Sequence, residues 1–203
     1  MLSENDLLHL FHHTKWQPRN PGELSVTACR PTNQKEAYTW KSYELTLATG
    51  SRCLLRYYPV SGLLACLPGQ KSRARIQYER LLELERAGIA VAHPVAWGLG
   101  TGGSFLLLEL APGLESAADV WAQMNRTLSE REAFICAFIR LIGHLYTVNV
   151  THPALSLDCL GCIRSADGEY KFYFVDSGEA QIKRSLSLAE KQALLESLRG
   201  ILS

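Results

Sequence analysis

Strand-like patterns dominate the first half of the chain. A short amphipathic helix is predicted over residues 2–16, and segments rich in Thr, Tyr, Val and Leu then alternate with turns. A second helix, predicted over residues 71–87 and ended by Gly88, separates the early strands from the later ones. The predicted strands cover residues 24–30, 37–47, 52–58, 90–99 and 104–110. Together these segments indicate a small antiparallel sheet with one helix across it.

The second half of the chain is mainly helical in pattern. Helices are predicted over residues 116–124, 129–149 and 188–202. Residues 151–182, between the last two helices, have a pattern of loops and strands instead. They predict a loop opening at His152, a hairpin, and an apolar strand that delivers Asp176 into a Ser-Gly turn. This stretch is the most promising place for a functional site.

The length of 203 residues suffices for one large core or for two small lobes that share a cleft. Because strands dominate the first part and helices the second, we predict an α+β fold. Its N-terminal lobe would cover residues 1–110, with the lead-in helix, the antiparallel sheet and the helix over 71–87. A shorter, mostly helical C-terminal lobe would cover residues 111–203.

Charge and hydropathy narrow the range of partners. Lys and Arg total 21 against 20 for Asp and Glu, and the two signs are interleaved, which excludes the basic field of a nucleic-acid binder. The longest apolar runs are strand-length, and the N-terminus lacks a signal-peptide pattern. We therefore expect no transmembrane segment and a cytoplasmic location, with a peripheral position at the inner membrane as the alternative.

Four stretches carry a resemblance to a known family. They read CLLRYYPVSGLL at 53–64, ARIQYERLLELERAGIAVAHPVAWGLG at 74–100, SFLLLELAPG at 104–113 and THPALSLDCLGCIRSADGEYKFYFVDSGEAQI at 151–182. In order and spacing they resemble the lipopolysaccharide core kinases, a bacterial family that phosphorylates Kdo or heptose of the inner core. The resemblance implies a protein-kinase-like fold of two lobes with a cleft between them. It also implies ATP and Mg²⁺ as cofactors and a sugar hydroxyl of the lipopolysaccharide core as acceptor.

The resemblance gives Asp176 the clearest role. In Val175-Asp176-Ser177-Gly178 it matches the family's metal-binding aspartate, which follows a buried strand and precedes glycine. A carboxylate in this place also has a simpler interpretation, as a turn former that caps its own loop.

The catalytic loop matches the family less well. His152 corresponds to the loop histidine, which we expect to order the loop and not to transfer a proton. The position of the catalytic base falls on Ala154, so Asp158, four residues on, is the candidate replacement. The family's metal-binding asparagine corresponds to Cys159.

The nucleotide-binding positions of the first lobe are also altered. The strand lysine falls on Leu55 or Arg56, and Arg56 is the candidate phosphate contact, although its planar fork does not replace a lysine point charge freely. The helix acid falls on Gln77. Glu79, two residues on and about 200° around the helix, is the candidate substitute.

Two further nucleotide contacts depend on backbone. The segment over residues 31–36, where the family has a glycine-rich loop, contains no glycine, which hinders close approach to a phosphate. Glu109 and Ala111 fall where the hinge would present backbone groups to adenine.

The sequence is compatible with three functions. The favoured one is a pseudokinase that binds a protein partner or a lipopolysaccharide-related ligand, since several catalytic positions are lost together. The second is an active kinase in which Asp158 serves as base and Lys35 or Lys41 replaces the missing lysine. The third is a structural or interaction domain. Its candidate anchors are Trp16, Trp40, Trp97 and Trp121.

Overall fold

The computed structural model describes residues 9, 11–18, 26–32, 40–59, 71–100, 102–124 and 128–202. It confirms the predicted α+β class, since the described residues form a large antiparallel sheet, two smaller sheets and several helices. The chain divides into two units, which we describe separately. Unit 1 comprises residues 1–79 and 93–112, and unit 2 comprises residues 80–92 and 113–203.

Unit 1 contains a six-stranded antiparallel sheet in the order β1-β5-β6-β4-β3-β2. Helix α1 (Arg73–Arg86) lies between β4 and β5 in the chain. The strands are β1 (Lys15–Gln17), β2 (Val26–Pro31), β3 (Lys41–Leu47), β4 (Arg52–Pro59), β5 (His93–Gly100) and β6 (Gly103–Leu110).

Strand β1 corrects the end of the helix predicted over residues 2–16, of which residues 2–8 and 10 lie outside the described part of the chain. Residues 11–13 are helical, but Lys15–Gln17 pairs with β5 at the edge of the sheet. Trp16 is buried between two exposed neighbours, which is the period-2 pattern of a strand. Its indole Nε1 donates a hydrogen bond of 2.9 Å to the carbonyl of Phe11 and so satisfies the one polar group of the buried ring.

The core of unit 1 lies on one face of this sheet. Alternate residues of β3, β4 and β6 point into it, among them Leu45, Leu55 and Phe105, and Trp16 covers them from the edge strand. The strands could be predicted from sequence because they are rich in β-branched, aromatic and other apolar residues and are bounded by turns.

Unit 2 combines helices with short strands. The helices are α2 (Ala117–Gln123), α3 (Leu128–Thr147) and α4 (Leu188–Leu202), with a 3₁₀ turn over Leu157–Cys159. The strands are β7 (Glu115–Ser116), β8 (Val150–Thr151), β9 (Leu160–Arg164), β10 (Tyr170–Phe174) and β11 (Gln181–Ile182). Strand β9 pairs with β7 and β10, and β8 pairs with β11. Hence a small sheet carries the stretch in which the site was predicted.

The end of α1 belongs to unit 2 and confirms the predicted glycine cap. Gly88 adopts a φ of +82°, and the amides of Gly88 and Ile89 donate to the carbonyls of Glu85 and Leu84, both at 3.0 Å. These paired bonds are a Schellman motif, which needs glycine because other residues pay a steric cost at positive φ.

None of the helices in the described part of the chain is both long and apolar enough to cross a membrane.

Candidate functional site

The hairpin β9–β10 positions Asp176 in unit 2. Its turn is closed by the Ser165 amide, which donates to the Glu169 carbonyl at 2.8 Å, and by Gly168 at positive φ. Strand β10 alternates buried and more exposed residues, so Tyr170, Phe172 and Phe174 face the interior. The chain leaves this buried strand at Val175 and reaches Asp176 one residue later.

The backbone of Asp176 is held by the loop that precedes the hairpin. The amides of Val175 and Asp176 both donate to the carbonyl of Cys159, at 3.0 and 3.1 Å. Cys159 ends the 3₁₀ turn that also contains Asp158, so the candidate replacement base lies one residue before this anchor. Both Asp158 and Asp176 are partly buried.

The side chain of Asp176 caps its own turn. Its Oδ1 accepts a hydrogen bond of 2.8 Å from the amide of Gly178, as in an Asx turn. The structure therefore contains the turn-capping hydrogen bond that the simpler interpretation of Asp176 predicted. This bond does not exclude a ligand, because an ionised carboxylate has about four acceptor positions.

Gly178 is the centre of the turn. It adopts a φ of +47°, and its carbonyl accepts a hydrogen bond from Nη1 of Arg80, a residue of α1 within unit 2. A β-carbon at Gly178 would lie 2.9 Å from Nε2 of His152. Only glycine lets the turn approach the imidazole this closely.

His152 lies under the turn and is only 2% exposed. Its ring stacks on Phe174 with centroids 5.9 Å apart. Neither ring nitrogen has a hydrogen-bond partner among the described residues. Burial lowers the pKa of His152 and the nearby Arg80 lowers it further, while Asp176, Glu179 and the histidine's own backbone act in the opposite direction. The imidazole is thus a neutral packing group, which agrees with an ordering role for this histidine.

This burial predicts a pH dependence of stability. Because the pKa of His152 is lower in the folded than in the unfolded chain, protonation favours unfolding. The contribution of the neutral His152 to the free energy of unfolding is fully present above the unfolded pKa of about 6.5. It is lost as the pH drops from there to the native pKa, by up to about 1.4 kcal/mol per pH unit. Urea unfolding at several pH values, with His152→Leu as control, measures this slope. A variant with the same slope as the parent protein would contradict the assignment.

In unit 1 the two candidates for the strand lysine position face opposite sides of β4. Leu55 points into the apolar core, whereas Arg56 points to the other face. Arg56 is 3% exposed, and its guanidinium carbon lies 4.4 Å from the centroid of the Trp40 ring, a cation–π contact. Arg56 carries the only positive charge of these two candidates, and its role as a phosphate contact stays a prediction.

Glu79 lies in an ion-pair cluster on α1. Its carboxylate oxygens pair with Nζ of Lys71 at 2.7 Å and Nε of Arg75 at 2.8 Å, and these hydrogen bonds lower the pKa of Glu79. Gln77, at the family's acid position, is buried and carries no charge. The role of Glu79 as the substitute acid stays a prediction.

The predicted hinge residues lie at the end of β6, Glu109 within the strand and Ala111 just after it. Glu109 is exposed and lies opposite Cys53 of β4 and His93 of β5. Burial, with a smaller contribution from Glu109, raises the pKa of Cys53 to about 11. Ala111 directly follows β6. The glycine-free segment over residues 33–36, including Lys35, lies outside the described residues.

The structure thus brings together His152, Asp176 and Gly178, with Asp158 next to the shared anchor at Cys159. Sequence reasoning missed Arg80. The available signal was its spacing, because it follows the predicted acid position Gln77 by three residues and such pairs share a helix face. Across the described ranges no group of three or more His, Cys, Asp and Glu side chains forms a metal site.

Comparison with models of known protein families gives no match to this chain, and comparison with curated proteins finds no relative.

Proposed function

We propose that the chain is a degenerate member of the protein-kinase-like fold, resembling the lipopolysaccharide core kinases. In this account it binds Mg·ATP weakly at the Asp176 turn and does not transfer phosphate efficiently. Its role is then that of a pseudokinase that binds a protein partner or a core sugar. The support comes from the order of elements along the chain: strands, a helix, two further strands, and then the helix–loop–hairpin of unit 2.

The observation that carries this proposal is the organisation of the turn in unit 2. Asp176 follows a buried strand, Gly178 is held at positive φ, and a buried histidine from the preceding loop supports both. A turn that only reversed the chain would not need a glycine packed directly on an imidazole. The arrangement supports a carboxylate held at a defined place.

The single carboxylate of Asp176 fits a metal ion that binds as a complex with its nucleotide. Mg²⁺ is commonly held by one or two carboxylates together with substrate phosphates, so Asp176 with ATP meets this need without a protein cage. When bound, Mg²⁺ would neutralise the β- and γ-phosphates. The chain's own part is to orient the Asp176 carboxylate, through Gly178 and the Cys159 carbonyl.

The residues at the positions that promote phosphate transfer in the family support a site with weakened catalysis. Ala154 has no group that can take a proton from an acceptor hydroxyl. Arg56 offers a planar guanidinium, stacked over Trp40, in place of a lysine ammonium. An active sugar kinase with Asp158 as base is the second candidate, favoured by the place of Asp158 beside the anchor of Asp176.

Ligand-dependent stability tests the proposal. We expect Mg·ATP to raise the melting temperature of the parent protein, and ATP without metal to do so less, because a ligand that binds only the native state stabilises it. Asp176→Asn, which keeps the shape of the side chain, should lose the difference between the two. Equal shifts in parent and variant, or no shift in either at millimolar ATP, would contradict the proposal. Turnover that Asp158→Asn abolishes would favour the active kinase.

A further inference from the structure

Arg80 joins α1 to the turn that carries Asp176. Its Nη1 donates a hydrogen bond to the carbonyl of Gly178, and both residues belong to unit 2. Arg80 is partly buried, and hydrogen bonds from a charged donor are about twice as strong as neutral ones. The bond spans 98 positions of sequence and is therefore a tertiary constraint on the turn.

Gly178 transmits this constraint to the carboxylate. Its amide donates to Oδ1 of Asp176 at 2.8 Å, while its carbonyl accepts from Arg80. The amide of Ala180, which donates to the Ser177 carbonyl at 2.7 Å, closes the next part of the turn. A displacement of Gly178 would therefore move the oxygen to which its amide is bonded.

We infer that Arg80 is a positioning residue for Asp176. It fixes the Gly178 peptide, and the peptide fixes the direction of the carboxylate. His152 supports the same glycine from below by packing alone, whereas Arg80 provides a directional bond. The claim that the Asp176 carboxylate binds the metal of Mg·ATP rests on the proposed function. The claim that Arg80 constrains the turn does not depend on it.

Amide hydrogen exchange in the full chain tests the inference. In Arg80→Met we expect the amides of Gly178 and Ala180 to exchange about tenfold faster, since the turn loses a bond that resists its local opening. The Phe174 amide, which donates to Ala90 at 2.9 Å, should change less and reports on the strand before the turn. Arg80→Lys keeps a charged donor and should restore part of the protection.

The matched control is Arg86→Met, the same substitution at an exposed position of the same helix. Exchange of Gly178 and Ala180 at the same rate in both Met variants, or equal acceleration of Phe174, would overturn the inference. If the parent protein binds Mg·ATP, Arg80→Met should weaken binding about tenfold and Arg80→Lys less so. A parent protein that binds no nucleotide would overturn the proposed function, and exchange would still decide the role of Arg80.

Discussion

Truncation of Phe134 to alanine is expected to destabilise the protein by about 3–5 kcal/mol, the range for large aromatic side chains removed from a core. Phe134 of α3 is fully buried and contacts three aromatic rings. Phe172 and Tyr170 lie edge-on to it at 4.9 and 5.2 Å, and Trp121 lies at 5.3 Å. Since Phe172 and Tyr170 belong to β10, the cavity would form beneath the strand that delivers Asp176.

Chemical denaturation measures this loss. The control is Ile139→Ala on the same helix, where the side chain is 48% exposed and truncation should cost less than about 1 kcal/mol. Similar losses in the two variants would contradict the described packing of α3 on the hairpin.

Substitution of Gly178 by alanine has the second large effect. A side chain at φ +47° costs about 1–2 kcal/mol, and the new β-carbon would lie 2.9 Å from Nε2 of a buried imidazole that has little room to move. Overpacking of this kind adds about 1–3 kcal/mol. The same change should weaken any ligand of Asp176, because the Gly178 amide holds its carboxylate.

Gly168→Ala separates the two costs. Gly168 also has a positive φ, of +86°, but its nearest neighbour to an added β-carbon is the end of the Arg164 side chain at 4.0 Å. The difference between the two glycine variants in free energy of unfolding should therefore be about 1–3 kcal/mol. Equal losses of free energy of unfolding in the two variants would contradict the close packing of Gly178 on His152.

Much of the fold could be predicted from periodicity. Strand β5 alternates buried and more exposed residues, β6 is a continuous apolar run, and α4 begins and ends where its apolar spacing predicts, at Leu188 and Leu202. Strand β1 was missed because a single buried residue, Trp16, gives too short a pattern to separate a strand from the end of a helix. Strands β7, β8 and β11 have two residues each and form only because of distant partners.

The candidate site could be predicted only in part. An acidic residue after an apolar strand and before glycine pointed to Asp176, and a histidine at a loop pointed to His152. The spacing of Arg80 from Gln77 could place it on the right helix face, but no local pattern could show that it bonds to a peptide 98 residues away, or that Gly178 packs on an imidazole. Such features depend on tertiary packing between segments that are distant in the sequence.

The most direct test of the account is the response of amide NMR signals to substoichiometric Mn²⁺·ATP, since the paramagnetic ion broadens signals close to it. We predict selective broadening at residues 176–180 and at His152, and loss of the effect in Asp176→Asn. Broadening confined to another part of the chain, or none at all, would contradict the claim that the Asp176 turn holds a metal nucleotide.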